Sequence, residues 1–330
     1  MSTYFAIRHV TRFSYDAPVS EELMEVRMQP RSEGGQRCLR FELGTGPRAR
    51  VMAYLDHLGN SVHHFDTPAR HTHLTITARA HVQLEPPAPL PDALPVSSWD
   101  QIDAWAASGE QWDFLHPSRY AKWTQALQDF ARAADGSRSR EQDPLTAVRH
   151  LTKSVHQAFE YVPKSTRVDS PIDEALAARR GVCQDFAHIM IAAARLAGLP
   201  ARYVSGYIAP RAGGDERARA ASAATHAWVE VLLPQIGWYG FDPTHNLEAG
   251  LRHIRVAIGR DYADVPPTRG IFKGDAKSVL AVSVEVTPSG PPTNTEPMLP
   301  EPQWASDEVT AAPQDQDIEK QMQAQQQQQQ

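Results

Sequence analysis

Hydrophobic and polar residues alternate along the first part of the chain. The alternation runs through five segments, separated by turn sequences such as GTGP and LGN: residues 4–15, 37–43, 50–56, 61–66 and 73–84. A period of two between turn signals is typical of antiparallel strands that bury one face. The sequence therefore predicts an all-β domain over residues 1–85, either a small sandwich or a barrel.

The pattern becomes helical after a proline-rich segment. Five prolines stand within residues 85–95. Because proline stiffens the chain and removes backbone donors, residues 86–98 are predicted to form a linker. Apolar residues then recur at helical spacing in residues 119–134 and 144–160. Asp143, just before Pro144, is a favourable cap for the second of these helices.

The clearest helix ends at Gly198 and Pro200, which are stop signals. Its apolar residues recur every three or four positions: Phe186, Ile189, Met190, Ala193, Ala194 and Ala197. Two alternating segments follow, residues 224–234 and 237–246, and they predict neighbouring strands. Helices followed by strands favour an α+β domain, which we assign to residues 99–287.

The last part of the chain is of low complexity. From residue 288 it is rich in Pro, Gln, Asp and Glu, and it ends in QMQAQQQQQQ. Such a segment cannot bury enough apolar surface to offset the chain entropy lost on folding. Residues 288–330 are therefore predicted to be a disordered tail.

Composition narrows the choice of partners and compartment. With 330 residues, 41% hydrophobic and 22% charged, the chain is long enough for two globular domains. A net charge of -6 gives no general attraction to nucleic acid or to an anionic membrane, so neither is an expected partner. The opening sequence MSTYFAIRHVTRFSYD lacks the apolar core of a secretory signal. With only two cysteines, Cys38 and Cys183, a cytoplasmic location is expected.

Three residues in the second domain carry candidate chemistry. Cys183 stands at the predicted start of a helix, where unpaired amides and the helix dipole favour a thiolate. His226 lies near the start of the first predicted strand, and Asp242 lies at the end of the second. A cysteine nucleophile, an imidazole base and an orienting carboxylate are the parts of a catalytic triad.

With these residues in place, the sequence resembles the bacterial branch of the transglutaminase-like superfamily. GVCQDFAH, ARYVSGY, THAWVEV and GWYGFDPTHN occur in that order, and HIRVAIGRDYADVPPTRG resembles the segment after the catalytic acid. The resemblance covers residues 1–287, including the β-rich domain that precedes the core in that branch. It implies a papain-like fold, in which a helix bearing the cysteine packs on an antiparallel sheet. It also implies a triad of Cys183, His226 and Asp242.

When Cys183 attacks a carbonyl carbon, negative charge develops on the carbonyl oxygen. This oxyanion needs a second hydrogen-bond donor besides the backbone amide of Cys183. A glutamine six residues upstream is absent, because Ala177 stands there. Tyr161 and Gln184 are the candidates that remain. Two nearby histidines are assigned other roles: His188 a structural hydrogen bond, and His245 a solvent-facing position in a turn.

All reactions of such a site pass through a thioester. If water resolves the thioester, the enzyme is a peptidase or amidase, and if an amine does, it is a transglutaminase. The resemblance favours hydrolysis of a peptide or protein substrate, with transglutaminase-type acyl transfer as the alternative. No cofactor and no metal are expected, since the sequence lacks HExxH, a cysteine pair at zinc spacing and a P-loop.

Other interpretations stay open at this point. The chain could be a binding module that keeps the fold without catalysis, or a metal hydrolase with Cys183 and His226 as ligands. His71 and His73 share one strand face, which also permits a metal site, although a solvated sheet face is the simpler interpretation. The sequence does not determine the oligomeric state.

Overall fold

The N-terminal part of the chain is all β, as the alternation predicts. The computed structural model of the protein describes residues 2–134, 140–210 and 225–291, so most of the predicted tail lies outside the described residues. Five strands come first: β1 (Thr3–Val26), β2 (Gln36–Gly46), β3 (Met52–Leu55), β4 (Ser61–Thr67) and β5 (His71–Leu84). They form one sheet in the order β2-β5-β1-β4-β3, with antiparallel neighbours.

The first strand is much longer than its alternation suggests. The sequence predicts a strand over residues 4–15, and β1 continues to Val26. Its first half pairs with β5 and its second half with β4, so the strand curls the sheet. Val19, Met24 and Val26 bury their side chains in this second half, which holds the extension in place.

Six helices follow in the described chain: α1 (Ser98–Ser108), α2 (Trp112–Leu115), α3 (Gln125–Ala133), α4 (Pro144–Ala158), α5 (Ile172–Ala178) and α6 (Cys183–Leu196). The predicted cap of α4 is confirmed, because the Asp143 carboxylate accepts hydrogen bonds from the amides of Leu145 and Thr146. By contrast, α3 begins later than predicted. Thr124 has an extended backbone there, and its side chain caps the helix by accepting from Leu127 N. None of the described helices has the length and apolar character needed to cross a membrane.

The sheet of the α+β core is antiparallel. Two short strands, β6 (Glu160–Tyr161) and β7 (Arg180–Gly181), pair in parallel just before α6. The main sheet contains β8 (Ala201–Ile208), β9 (Thr225–Leu233), β10 (Gly237–Asp242), β11 (Leu247–Glu248) and β12 (His253–Gly259). Its strand order is β11-β10-β9-β8-β12.

The helix α6 is the centre of the hydrophobic core. Its side chains from Phe186 to Ala194 are buried, and they pack with residues of β8 and β9, among them Tyr203 and Val229. The Trp123 indole donates to the carbonyl of Ala192 and joins the helical layer to this helix. The predicted fold class is therefore confirmed: a cysteine-bearing helix lies on an antiparallel sheet, and an all-β region precedes it.

The last two described strands return to the N-terminal sheet. These are β13 (Thr268–Lys273) and β14 (Ser278–Ser289), and both pair with β1. The alternating residues Val282, Val284 and Val286 of β14 are buried in the same cluster as Phe5 and Ile7 of β1. The sequence analysis predicted that the second domain extends to residue 287. In the structure, β13 and β14 pair with β1 and so belong to the N-terminal sheet.

Candidate active site

Cys183 is the first residue of α6, as the helix signals predict. The preceding residue, Val182, has an extended backbone, and its amide donates to Asp185 Oδ2 at 2.8 Å. Thr166 donates to the same oxygen at 2.5 Å. A Cβ on Gly181 would lie 2.9 Å from the Asp185 side chain, so the glycine lets the carboxylate sit beneath the turn. This arrangement fixes the sulfur at the positive end of a buried helix.

Of the other two predicted triad residues, His226 lies next to Cys183 and Asp242 lies next to His226. His226 is on β9 and Asp242 ends β10, so neighbouring strands bring their side chains together. His226 Nε2 lies 2.8 Å from Asp242 Oδ2, and His226 also makes a side-chain hydrogen bond with Cys183. Because Asp242 occupies Nε2, Nδ1 is the ring nitrogen that faces the sulfur. The structure thus brings all three residues together in the predicted order.

The imidazole of His226 is held in its protonated form. Burial alone would lower the pKa of His226, but the Asp242 carboxylate and the hydrogen bonds to Asp242 and Cys183 outweigh it. The net result raises the pKa of His226 to about 10. At neutral pH the ring is therefore an imidazolium beside the sulfur, which favours a thiolate–imidazolium pair.

The Asp242 carboxylate faces an unusual number of hydrogen-bond donors. Its Oδ1 accepts from the amides of Thr244 and His245, and its Oδ2 faces three imidazoles: His226 at 2.8 Å, His245 at 2.8 Å and His253 at 3.1 Å. Burial would raise the pKa of Asp242, but the charged His226 and these imidazole donors hold it well below its usual value. The carboxylate therefore stays ionised.

His253 is a residue that the sequence analysis did not single out. Its Nδ1 accepts a hydrogen bond from Gly250 N at 3.2 Å, so the proton of the neutral ring is on Nε2 and points at Asp242. Burial lowers the pKa of His253, which keeps the ring neutral. The only signal in the sequence was the segment HIRVAIGRDYADVPPTRG, which begins with this histidine.

His226, Asp242 and His253 could also form a metal site. One atom of each lies within 4.8 Å of the others. In the structure these atoms are joined by hydrogen bonds, because each imidazole shares a proton with Asp242 Oδ2. A metal ion would have to replace both protons, so the triad and the metal site compete for the same atoms.

The two candidate oxyanion donors, Tyr161 and Gln184, line a cavity of about 70 Å³. Cys183 and His226 line the same cavity. The Gln184 side chain donates to the carbonyl of Val168 at 2.9 Å, so its NH₂ group already has an acceptor. Tyr161 is 42% exposed at the rim of the cavity. Burial and the nearby Cys183 raise its pKa, so its hydroxyl stays protonated and can donate.

The remaining predicted residues have structural contacts. His188 accepts a hydrogen bond from Tyr262 N at 3.2 Å, which confirms its structural role. His245 is 39% exposed but turns its Nδ1 towards Asp242 rather than only to solvent. His71 pairs with Glu22 inside the N-terminal sheet, at 2.6 Å. Cys38 and Cys183 are both free thiols.

Comparison with known families matches both parts of the chain. Residues 5–83 match the bacterial transglutaminase-like N-terminal region. Residues 131–243, which include Cys183, His226 and Asp242, match the transglutaminase-like superfamily.

Individual relatives agree with these matches. An uncharacterized protein of Mycobacterium leprae is 33% identical over 84% of this chain and 96% of its own length. A protein-glutamine gamma-glutamyltransferase of Pseudomonas aeruginosa is 32% identical, over 44% of this chain and 23% of its own length. Among solved structures, a protein from Cytophaga hutchinsonii provisionally named a cysteine protease superposes with a TM-score of 0.65 and 21% identity. That superposition covers 89% of this chain and 93% of the other, and it shows that the two share a fold.

Proposed function

The chain belongs to the transglutaminase-like superfamily, and from this premise we propose that it is a cysteine peptidase or amidase. The observation that carries the proposal is the line of Cys183, His226 and Asp242: Cys183 and His226 line one cavity, and the buried Asp242 holds the far side of the His226 ring. The substrate class we propose is a peptide or protein, and the setting is the cytoplasm.

The first half of the reaction forms a thioester. The Cys183 thiolate attacks the carbonyl carbon of an amide, and a C–S bond forms while the carbonyl electrons move to the oxygen. The amide of Cys183 and the Tyr161 hydroxyl donate to that oxyanion. When the C–N bond breaks, the His226 imidazolium gives its proton to the departing nitrogen, so that an amine or ammonia leaves.

The second half returns the enzyme to its starting state. Water attacks the thioester carbon, and the now neutral His226 accepts one of its protons. The C–S bond then breaks, which releases a carboxylic acid and the Cys183 thiolate beside an imidazolium, and the acid loses its remaining proton to solvent. Asp242 stays ionised throughout and keeps His226 in the orientation that faces the sulfur.

A second candidate is acyl transfer to an amine. It is favoured by the 32% identity to the Pseudomonas aeruginosa protein-glutamine gamma-glutamyltransferase. The same thioester would form, and a primary amine would take the place of water. The cavity residues around Cys183 serve both outcomes, so only the product distinguishes them.

The experiment is to incubate the protein with a peptide library, with and without a primary amine, and to identify products by mass spectrometry. Hydrolysis gives new carboxylates, and acyl transfer gives amine adducts. The Cys183→Ala variant should give neither product. Products that persist in that variant would show that another group is the nucleophile.

We expect Cys183 to react with iodoacetamide near pH 6 at least about 100-fold faster than Cys38. Cys183 lies beside an imidazolium, whereas burial raises the pKa of Cys38 to about 11 and keeps it a thiol. Peptide mass spectrometry after brief labelling measures both rates. Equal rates, or faster labelling of Cys38, would contradict the assignment of the nucleophile.

We expect Tyr161→Phe to lower kcat by about 10²-fold and to change KM little, because the variant removes one oxyanion donor. The hydroxyl acts only when charge develops on the oxygen, so substrate binding is spared. Gln184→Leu, assayed in parallel, tests the other candidate and should have a smaller effect. If Tyr161→Phe keeps normal turnover, the second donor is another group.

A further inference from the structure

A second cavity, of about 350 Å³, lies between the curled N-terminal sheet and the α+β core. It shares Val168, Tyr262 and Pro267 with the cavity around Cys183. The two cavities are therefore neighbours, and these three residues lie at the boundary between them. Most of the walls of the second cavity come from β1, β13 and β14, which belong to the N-terminal sheet.

The walls of this cavity are mainly apolar. Aromatic and aliphatic side chains provide most of them: Phe13, Tyr15, Met24, Phe272, Leu280 and Val282. Such a lining favours an apolar occupant, because contact with it removes apolar surface from water.

His9 and Glu22, which are ionisable side chains of the walls, already have partners. His9 contacts the hydroxyls of Tyr207 and Thr11, and burial lowers the pKa of His9 to about 3, so it is neutral. Glu22 accepts from the Tyr15 hydroxyl and pairs with the imidazole of His71.

The Glu22–His71 pair has no net charge. His71 Nδ1 lies 2.9 Å from the carbonyl of Ala69, so this nitrogen carries a proton. Its Nε2 is 2.6 Å from Glu22 Oε2, a distance that requires one more proton between the two groups. Whichever partner holds that proton, the charges of the pair sum to zero. The described residues that line the cavity therefore offer no isolated charge to attract an ionic group.

We infer that this cavity is a substrate subsite for a bulky, uncharged side chain, aromatic or branched, of the peptide whose amide Cys183 attacks. The inference rests on the proposed function, since it names the substrate class of that same site. It gives the N-terminal sheet a role in selecting substrate. Burial of such a side chain in place of alanine should speed reaction by about 10- to 100-fold.

The test uses peptides that contain an epoxysuccinyl group in the middle of their sequence. This group alkylates cysteine, and peptide residues lie on both sides of it. One phenylalanine is moved through an alanine background, and intact-mass spectrometry gives each labelling rate of Cys183. At one position phenylalanine should raise the rate by about 10- to 100-fold. No rate difference at any position would overturn the subsite.

Leu280→Trp fills the cavity and should abolish the phenylalanine advantage. Val279→Trp is the matched control, because Val279 is the preceding residue of β14 and is 60% exposed. If both variants keep the advantage, or both lose it, the subsite is overturned. Iodoacetamide labelling should be the same in all three proteins, and slow labelling of Cys183 in the wild type would instead overturn the proposed function.

A second pair of variants covers the case in which Leu280→Trp does not fold. Phe272→Ala widens the same cavity and should move the preference from phenylalanine to tryptophan. Ile271→Ala changes the neighbouring exposed position and should leave the preference unchanged. An unchanged preference in Phe272→Ala would contradict the subsite.

Discussion

Asp242→Asn should lower kcat by about 10³- to 10⁴-fold, as the equivalent change does in serine-protease triads. The pKa of His226 is about 10 because Asp242 outweighs the effect of burial. Without the carboxylate only Cys183 opposes the effect of burial, so we expect the pKa of His226 to fall from about 10 towards its ordinary value of 6.5 or below it. The ring then becomes neutral at physiological pH, so it no longer favours the Cys183 thiolate and has no proton for the leaving nitrogen.

Asparagine also cannot satisfy the donors around this position. Two backbone amides face one oxygen of Asp242, and three imidazoles face the other. In either orientation the NH₂ group of asparagine would face other donors. We therefore expect a loss of stability of about 1–3 kcal/mol in addition to the loss of rate.

The measurements are turnover and the pH dependence of Cys183 alkylation. In the wild type the imidazolium persists to about pH 10, so the advantage of Cys183 over Cys38 at pH 6–7 should be large. In Asp242→Asn this advantage should disappear. His245→Ala is the control, since it removes a partly exposed donor to the same oxygen and should change kcat by less than about 10-fold. Near-normal turnover in Asp242→Asn would show that Asp242 does not orient His226.

Glu230→Gln should destabilise the fold by about 3–5 kcal/mol. Glu230 is fully buried on β9 and lies 2.6 Å from Arg202 and 2.5 Å from Arg255. Arg202 is itself buried and lies over the Trp238 ring. The variant keeps the shape of the side chain but leaves the buried Arg202 with only the more distant and partly exposed Glu33, 3.7 Å away, and it places an NH₂ group against other donors.

The free energy of unfolding, measured with urea, is the readout for this variant. Glu248→Gln is the matched control, because the Arg149–Glu248 pair is about as short, at 2.8 Å, but is one third exposed on both sides. The control should lose at most about 1 kcal/mol. Equal losses in the two variants would show that burial of Glu230 does not matter.

The parts of the site that depend on local signals were predictable from the sequence. The start of α6 at Cys183 follows from helical spacing and from the stop signals at Gly198 and Pro200. The positions of His226 and Asp242 follow from two short alternating strands joined by a tight turn. These features depend on contacts between residues that are close in the chain. The local pattern of hydrophobic and polar positions therefore predicts them.

The parts that depend on distant pairing were not predictable. His253 reaches Asp242 because β12 lies beside β8, with Ile254 opposite Tyr207. Gly206 allows this approach, because a Cβ there would clash with the carbonyl of Ile254 and the ring of Trp228. The return of β14 to β1 is another such pairing. The alternation in residues 278–289 indicates a strand, but it does not say which sheet the strand joins.

The pairing of β1 with β14 makes the order of synthesis matter. Tyr4 lies opposite Ser289, so nearly all of the described chain must leave the ribosome before this edge of β1 finds its partner. Until then the edge is open, and open strand edges are sites where nascent chains associate wrongly. The same late strand supplies Leu280 and Val282 to the cavity beside the nucleophile. A chain released before β14 would therefore carry Cys183, His226 and Asp242 without this wall of the cavity.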